Sequence, residues 1–149
     1  MTQGIQEFSR ILVTGGAGFV GSNLACGLRR AWPGATVLAL DNLRRRGSEL
    51  NLPRLRDAGV VFQHGDIRNP EDLDAAGPVD LLVECSAEPS VLAGLRESPR
   101  YLIQTNLTGM FHCLEAARRH GAAIVFLSTS RVYPLAALNA LAYSEGDTR

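Results

Sequence analysis

Three glycines at intervals of three residues, Gly15, Gly18 and Gly21, follow an apolar run from Arg10 to Thr14. Such a run predicts a buried strand, and the amphipathic stretch after it predicts a helix. A backbone without Cβ atoms can turn sharply, approach a ligand closely and let a helix pack against its strand. The free N–H groups of the helix then attract an anion. The spacing predicts a turn that binds the pyrophosphate of a dinucleotide; the alternative is an ordinary glycine-rich turn.

A carboxylate stands where the ribose of such a dinucleotide would lie. Asp41 ends a second predicted strand, 36–41, twenty residues after Gly21, and it can accept hydrogen bonds from both adenosine ribose hydroxyls. Three arginines follow at 44–46. An arginine here can pair with a 2′-phosphate and favour NADP, whereas Asp41 repels that phosphate. Because the carboxylate is the nearer group, we expect NAD rather than NADP; the alternative for 44–46 is a solvated basic loop.

Two further strand ends carry residues that suit the same ligand. Asp66 and Ile67 follow the third predicted strand, where the carboxylate can accept a hydrogen bond from the adenine amino group and Ile67 can pack on the ring. The alternative for Asp66 is a turn or cap residue. Ser86 and Ala87 follow the fourth predicted strand, where small side chains let the cofactor's backbone lie close. A plain tight loop explains this last pair nearly as well.

The composition fits one α/β domain with a hydrophobic core. The chain has 149 residues, of which 46% are hydrophobic, and its formal net charge is zero. Zero net charge gives no general reason to expect nucleic-acid or membrane binding. No apolar stretch approaches the roughly 20 residues of a membrane span, and residues 1–10 lack the apolar region of a signal peptide. We therefore expect a cytoplasmic protein.

Cysteine and lysine usage excludes several kinds of chemistry. Cys26, Cys85 and Cys113 lie in apolar segments without CxxC spacing, which predicts buried reduced thiols rather than disulfides, metal ligands or a nucleophile. All fifteen basic residues are arginine. A P-loop, a Schiff base and a pyridoxal phosphate anchor each require a lysine, so the sequence excludes all three.

Strand-length apolar runs alternate with helical segments along the chain. This alternation predicts an α/β fold of the Rossmann type, a doubly wound parallel sheet with helices on both faces. Right-handed crossovers give the strand order 3-2-1-4-5, with the ligand crevice above the carboxyl ends of strands 1 and 4. The predicted strands cover 10–14, 36–41, 60–64, 79–84 and 122–128. The predicted helices cover 18–32, 48–58, 71–76, 90–96 and 100–119.

The helix predicted at 100–119 has the strongest pattern, and Gly121 supplies its stop. In the helix at 48–58, Ser48 is the expected cap and Pro53 an expected interruption. The apolar positions of 100–119 form one predicted stripe, which consists of Leu102, Ile103, Asn106, Leu107, Met110, Phe111, Leu114 and Ala117.

Residues 134–149 differ from the rest, because small apolar residues give way to a polar end without a sixth strand. A doubly wound dinucleotide-binding fold normally continues for at least one strand more. We therefore expect 1–133 to be an incomplete NAD-binding Rossmann domain, truncated before its later strands, and 134–149 to be a tail or linker. The apolar fifth strand would then be an exposed edge, which favours a homodimer across it or marginal stability.

Five segments spread over residues 10–133 match one known group of proteins. They are Thr14–Leu24 (TGGAGFVGSNL), Asp41–Leu43 (DNL), Gly65–Arg68 (GDIR), Asn106–Gly109 (NLTG) and the hydroxyl-rich strand that leads into Val132 and Tyr133. The chain resembles the N-terminal part of an extended short-chain dehydrogenase/reductase, of the nucleotide-sugar epimerase and dehydratase group. Within that group, residues 41–48 with Asn51 and Leu52 look most like CDP-paratose 2-epimerases.

The resemblance implies a reaction on a nucleotide-diphosphate sugar. A sugar carbon would be oxidised transiently by tightly held NAD, lose its configuration and receive the hydride back. Thr129 matches the group's catalytic Ser/Thr, which hydrogen-bonds the reacting sugar hydroxyl. Phe19, Val20 and Asn42 lie in the matching segments and are expected in the cofactor site. Asn106 matches an asparagine that helps to hold the active site together, although a polar bridge from helix to sheet is an equally good local account.

Two departures from the group's pattern limit what it implies. Glu84 stands where many relatives have a histidine, so the roles of that histidine are not transferred. These enzymes also use a Tyr-x-x-x-Lys pair, whereas Asp147 follows Tyr143 by four residues and lysine is absent. A phenol beside a carboxylate keeps a pKa at or above about 10, so we expect the chain by itself to be inactive. The alternatives are a stand-alone NAD-binding regulatory module, and part of a related dehydratase or reductase.

Overall fold

The computed structural model describes residues 7–90, 92–128 and 134–142, and its strands form one five-stranded parallel sheet. The strand order is β3-β2-β1-β4-β5, which confirms the predicted α/β class and strand order. In the register of the sheet, Thr14 lies level with Leu40 on one side and Glu84 on the other. The strands are β1 Arg10–Thr14, β2 Thr36–Asp41, β3 Val61–His64, β4 Leu81–Glu84 and β5 Ala123–Phe126.

Helices follow the strands as the alternating pattern predicts. A 3-10 turn, Ser48–Asn51, leads into α2, and a π-helical turn, Gln104–Gly109, joins α4 to α5. The segment predicted at 48–58 is divided next to Pro53, which lies in the first turn of α2, where a missing N–H breaks no intrahelical bond. The predicted cap at Ser48 is wrong, because Gly47 is the N-cap of the 3-10 turn and Ser48 is its first residue. The helices are α1 Phe19–Ala31, α2 Leu52–Asp57, α3 Pro70–Asp74, α4 Arg100–Ile103, α5 Met110–His120 and α6 Leu135–Asn139.

The two faces of the sheet carry separate hydrophobic cores. Ile11 and Val13 point into a core that also contains Cys26 of α1. Leu12, between them, points into the opposite core, which contains Cys113 of α5. Because helices cover both faces, a strand such as β1 is apolar at consecutive positions rather than at alternate ones.

The helix predicted at 90–96 is wrong. Among the residues described there, the segment from Leu92 to Leu95 forms turns, with the N–H of Leu95 donating to the carbonyl of Leu92 at 3.2 Å. Gly94 has a φ of +78°, which an α-helix does not accommodate. The residue types of this segment are compatible with a helix, but its backbone forms turns instead, ahead of Pro99 and α4.

The helical segment from α4 to α5 buries a different face from the predicted stripe. Leu107 and Phe111 belong to that stripe, yet they are 68% and 58% exposed. Gly109 lies against Ile67, where a Cβ on the glycine would come within 2.5 Å of the isoleucine Cδ1. Close approach to the loop after β3 therefore favours small residues on the buried face. The buried residues of the segment are Thr105, Gly109, Cys113, Ala116 and Ala117, and of these Ala117 alone belongs to the predicted stripe. The predicted stop at Gly121 is confirmed, since its φ is +63°.

Strand β5 forms one edge of the sheet, next to β4. Val125 and Phe126 are about half exposed there, as the sequence predicts for an apolar edge. The short helix α6 lies within the predicted tail. In the described part of the chain, every helix is too short or too polar to cross a membrane.

Candidate cofactor site

The glycine turn after β1 has the geometry that its spacing predicts. Gly15 has a φ of +61°, and a Cβ there would lie 2.7 Å from the carbonyl oxygen of Cys85. The N–H of Gly18 donates to the carbonyl of Gly15 at 3.0 Å, which closes the turn. A Cβ on Gly21 would overlap that same carbonyl oxygen, so α1 packs directly on the turn. Only glycine fits the first and third positions without displacing backbone.

A fourth glycine in the turn was missed at the sequence level. The N–H of Gly16 donates to the carbonyl of Leu40 at 3.0 Å, which joins the turn to the end of β2. A Cβ at Gly16 would approach the Cβ of Ala39 to 2.6 Å. The pair Gly15-Gly16 was the signal in the sequence, because two successive glycines let neighbouring strands pack closely against the turn on both sides.

The first turn of α1 offers backbone N–H groups rather than side chains. Gly18 is the N-cap and supplies no side-chain hydrogen bond to the helix. The first N–H groups of a helix lack intrahelical partners and carry a partial positive charge. The side chains of Phe19 and Val20, both predicted in the site, are 83% and 47% exposed and do not line the cavity. Phe19 and Val20 can therefore contribute to anion binding only through their backbone N–H groups.

Asp41 ties the glycine turn to the loop after β2. One carboxylate oxygen accepts a hydrogen bond from the N–H of Ala17 at 3.1 Å, and the other accepts one from the N–H of Leu43 at 2.8 Å. Asn51 holds the same turn, since its Nδ2 donates to the carbonyl of Ala17 at 2.8 Å. Leu43 has a φ of +53°, which is uncommon outside glycine and marks a tightly constrained loop. The carboxylate therefore lies at the edge of the turn, and each oxygen retains a free lone pair for a ligand.

Asp66 is held by Arg68 and Asn42. The guanidinium of Arg68 donates to the carboxylate at 2.6 Å, and Nδ2 of Asn42 donates at 2.8 Å. The N–H of Arg68 also donates to Asp66, which is the turn-forming role named as the alternative. Burial by itself raises the pKa of Asp66, but the hydrogen bonds from Arg68 and Asn42 outweigh it and lower the pKa from 3.8 to about 2. Asp66 is thus an ionised link between the loops after β2 and β3.

Glu84 lies beneath the loop after β4 and is only 2% exposed. Its Oε1 accepts a hydrogen bond from the N–H of Ser86 at 2.7 Å and a longer one from the hydroxyl of Thr14 at 3.4 Å. Burial raises the pKa of Glu84 above its ordinary value of 4.5. The side chain therefore positions Ser86 and Ala87 at the cavity rather than reaching a ligand itself.

The cysteines near Glu84 are poor nucleophiles. Burial, followed by the nearby Glu84 carboxylate, raises the pKa of Cys85 and of Cys113 to about 12. The thiolate, which is the reactive form, is then scarce at neutral pH. Cys26 and Cys113 are buried as predicted, whereas Cys85 is only partly buried and lines the cavity. All three are free thiols.

The π-helical turn brings two polar side chains to the cavity side of the α4–α5 segment. Asn106 accepts a hydrogen bond from the N–H of Glu88 at 2.8 Å and donates to its carbonyl at 3.2 Å, so it bridges the helix to the loop after β4. Thr105 lines the cavity with a buried hydroxyl that has no hydrogen-bond partner in the described part of the chain. A buried hydroxyl without a partner is costly. No feature of the sequence indicated Thr105.

One cavity at the carboxyl ends of the strands brings most of the predicted cofactor residues together. Gly21 and Asn106 support its walls from behind, and the predicted catalytic residue Thr129 lies outside the described residues. Tyr143 and Asp147 also lie outside them. The predicted residues that line the cavity are Gly15, Gly18, Asp41, Asn42, Asp66, Ile67, Ser86 and Ala87.

These residues fit a dinucleotide. A Cβ at Gly15 or Gly21 would meet neighbouring backbone, so the turn is as tight as a diphosphate-binding glycine turn requires. Thr105 also lines the cavity, although its hydroxyl oxygen is buried. Groups of histidine, cysteine, aspartate and glutamate that could hold a metal ion are absent from the residues that were placed.

Comparisons of this chain with known proteins agree on one family. The family described as NAD dependent epimerase/dehydratase family matches residues 11–146. A dTDP-glucose 4,6-dehydratase of Mycobacterium tuberculosis is 38% identical over 125 residues, and a CDP-paratose 2-epimerase of Salmonella typhi is 33% identical over 146 residues. The matches cover 83% and 94% of this chain but only 37% and 42% of those proteins. The chain therefore spans about two fifths of their length.

Solved structures give the same picture. An ADP-L-glycero-D-manno-heptose-6-epimerase of Helicobacter pylori is 32% identical, with a TM-score of 0.71, over 85% of this chain and 41% of its own. A dTDP-glucose 4,6-dehydratase of Bacillus anthracis, solved in complex with NAD, is 28% identical with a TM-score of 0.67, over 81% of this chain and 37% of its own. From the glycine turn, the sheet order and these matches, the chain belongs to the NAD-dependent epimerase/dehydratase family.

Proposed function

We propose that this chain is the NAD-binding portion of a nucleotide-sugar epimerase. The observation that carries the proposal is the convergence of eight predicted cofactor residues on one cavity, bounded by the glycine turn and by Asp41. The relatives named above act on nucleotide sugars, as their names state, and one was solved with NAD. On this proposal, 1–133 is the cofactor-binding domain and 134–149 leads toward a segment that carries the rest of the active site.

Each part of the cavity has a role in this proposal. The turn from Gly15 to Gly18 and the start of α1 bind the pyrophosphate through backbone N–H groups. Asp41 accepts hydrogen bonds from the adenosine ribose, while Asp66 and Ile67 lie at the adenine. Ser86 and Ala87 border the diphosphate. NAD, when bound, accepts a hydride from a sugar carbon and returns it.

Two specific activities follow from the relatives. Residues 41–48 with Asn51 favour a CDP-paratose 2-epimerase-like activity, and the 33% identical relative supports it. The second candidate is a dTDP-glucose 4,6-dehydratase-like activity, which the 38% identical relative favours. A stand-alone NAD-binding regulatory module is the third. Sequencing the gene beyond codon 149 distinguishes the two enzymes from the module, because a continuing frame with Tyr-x-x-x-Lys supports an enzyme and a stop codon supports the module.

We propose that the 149-residue chain does not turn over sugar by itself. The family's proton transfer requires a tyrosine whose pKa a nearby lysine lowers, and this chain has no lysine. Thr129 keeps its predicted role at the reacting hydroxyl but has no base to complete it. Turnover of a CDP- or dTDP-sugar by the purified chain would contradict this part of the proposal.

Titration of NAD and NADP into the purified chain tests the cofactor assignment. We expect wild type to bind NAD, and Asp41→Ala to weaken NAD binding about tenfold, because the ribose loses a charged hydrogen-bond acceptor. Asp57→Ala is the matched control, since Asp57 is exposed on α2 and does not line the cavity. Thermal melting of each variant checks that the loop contacts of Asp41 are not needed for folding. Unchanged NAD affinity in Asp41→Ala would refute the ribose assignment.

A further inference from the structure

The ring of Tyr101 carries a guanidinium from each of two loops. The guanidinium carbon of Arg44, in the loop after β2, lies 3.8 Å from the ring centroid, and that of Arg68, after β3, lies 4.8 Å from it. Arg44 and Tyr101 line the same cavity as Asp41 and Asp66. On the proposed function, on which this inference rests, the three side chains stand at the adenosine end of the cofactor.

The two arginines are held in different ways. Arg68 is fixed by its ion pair with Asp66 at 2.6 Å, so the ring is a second contact for it. Arg44 makes a backbone hydrogen bond, from its N–H to Oδ1 of Asn42 at 3.0 Å. In the part of the chain that the structure describes, the Tyr101 ring is the one partner recorded for the Arg44 guanidinium.

The neighbouring carboxylates do not compete for Arg44. Among the described residues, neither Asp41 nor Asp66 forms a hydrogen bond or ion pair with the Arg44 guanidinium; Asp41 binds the N–H groups of Ala17 and Leu43, and Asp66 binds Arg68 and Asn42. The position of Arg44 therefore depends on the strength of its contact with the aromatic face. This position matters because a cation just past the second strand can neutralise the 2′-phosphate of NADP, which Asp41 repels.

We propose that Tyr101 is a specificity-determining residue for the nicotinamide cofactor. Its ring holds the Arg44 guanidinium by a cation–π contact, so this cation does not pair with a 2′-phosphate and NAD is preferred. Removal of the ring frees Arg44 to pair with a 2′-phosphate. Tyr101 acts through Arg44, so its effect on NADP binding requires Arg44 to be present.

Dissociation constants for NAD and NADP, measured on the full 149-residue chain, test this. We expect Tyr101→Leu to improve NADP binding relative to NAD about fivefold, a change of the size that one exposed cation–π contact supports. Tyr101→Phe keeps the ring and should keep the wild-type ratio. The double variant Tyr101→Leu/Arg44→Ala should lose the gain. An unchanged ratio in Tyr101→Leu, or a gain that persists without Arg44, would overturn the inference.

If Tyr101→Leu does not fold, single variants in the loop after β2 still test the inference. Arg44→Ala in the wild-type background should leave the NADP-to-NAD ratio within about twofold, because the held guanidinium does not reach the phosphate. Arg46→Ala is the matched control, since Arg46 is exposed in the same loop and does not line the cavity. A large selective loss of NADP binding in Arg44→Ala would show that Arg44 already serves the 2′-phosphate, and would overturn the inference.

Adenosine 2′,5′-bisphosphate and adenosine 5′-monophosphate serve as smaller probes of the same difference, and their affinity ratio should move as the NADP-to-NAD ratio does. If the wild type binds NAD but Tyr101→Leu leaves the NADP-to-NAD affinity ratio unchanged, the role of Tyr101 is refuted and the proposed function is not. Wild type that binds neither dinucleotide refutes the proposed function and this inference together.

Discussion

For Glu84, the role in the structure differs most from what the sequence implies. The family resemblance implies a histidine at this position, but the structure buries Glu84, whose Oε1 accepts a hydrogen bond from the N–H of Ser86. A buried carboxyl without a cationic partner favours its neutral form. Glu84 thus shapes the cavity wall through Ser86, and its charge state is coupled to folding.

This coupling gives a pH prediction for Glu84→Gln. Because burial raises the folded-state pKa of Glu84 above 4.5, the stabilisation due to its proton is complete below pH 4.5 and is lost as pH rises through the folded-state pKa. Over that window the wild-type free energy of unfolding falls by up to about 1.4 kcal/mol per pH unit relative to the variant. Urea unfolding of both proteins between pH 4 and pH 8 measures this difference. A difference independent of pH would contradict the raised pKa of the buried Glu84 carboxyl.

At the scale of elements, α1 and the glycine turn behave as one unit. Gly21 in the first turns of α1 touches the backbone of Gly15, so the helix can approach the strand only as far as this contact allows. The same helix carries Gly27, where a Cβ would meet nothing within 4 Å. Position 21 therefore requires glycine, whereas position 27 has room for a side chain.

We expect Gly21→Ala to destabilise the chain by about 1–3 kcal/mol, because its methyl group would overlap a backbone carbonyl. Gly27→Ala is the matched control on α1, and we expect it to be neutral or stabilising by up to about 1 kcal/mol, as helix propensity alone dictates. Denaturant unfolding measures both, and NAD titration should show weaker binding in Gly21→Ala only. Equal effects of the two substitutions would argue against close packing of the turn.

For the whole molecule, the exposed edge at β5 is the feature with the largest consequence. Val125 and Phe126 are each 51% exposed, and an apolar edge strand pairs readily with another chain. We expect the mass of the purified chain to rise with concentration in light scattering. Val125→Lys should reduce this association, because a charge on an edge strand opposes pairing, while Leu50→Lys, at an exposed site far from β5 in sequence, should not. A monomer with a high melting temperature at all concentrations would refute the expectation.

The sequence by itself determined the sheet order, the glycine turn and most of the cavity residues. These features rest on local rules: alternation of apolar runs with helices, the steric needs of Gly15 and Gly21, and the rule that parallel strand ends meet at one edge. Asp41 and Ser86 follow strand ends, so their place at the cavity was predictable once the order was known. Phe19 and Val20 were matched by position alone, and their side chains face solvent.

Only the tertiary structure decided which face of the α4–α5 segment is buried, because that depends on how closely Gly109 approaches Ile67, 42 positions earlier in the chain. It also decided that Asp66 pairs with Arg68, that the Thr105 hydroxyl is buried without a partner among the described residues, and that Tyr101 stacks on Arg44. The physical reason is that the environment of a polar or aromatic side chain is set by elements distant in sequence, and packing fixes it only when those elements come together.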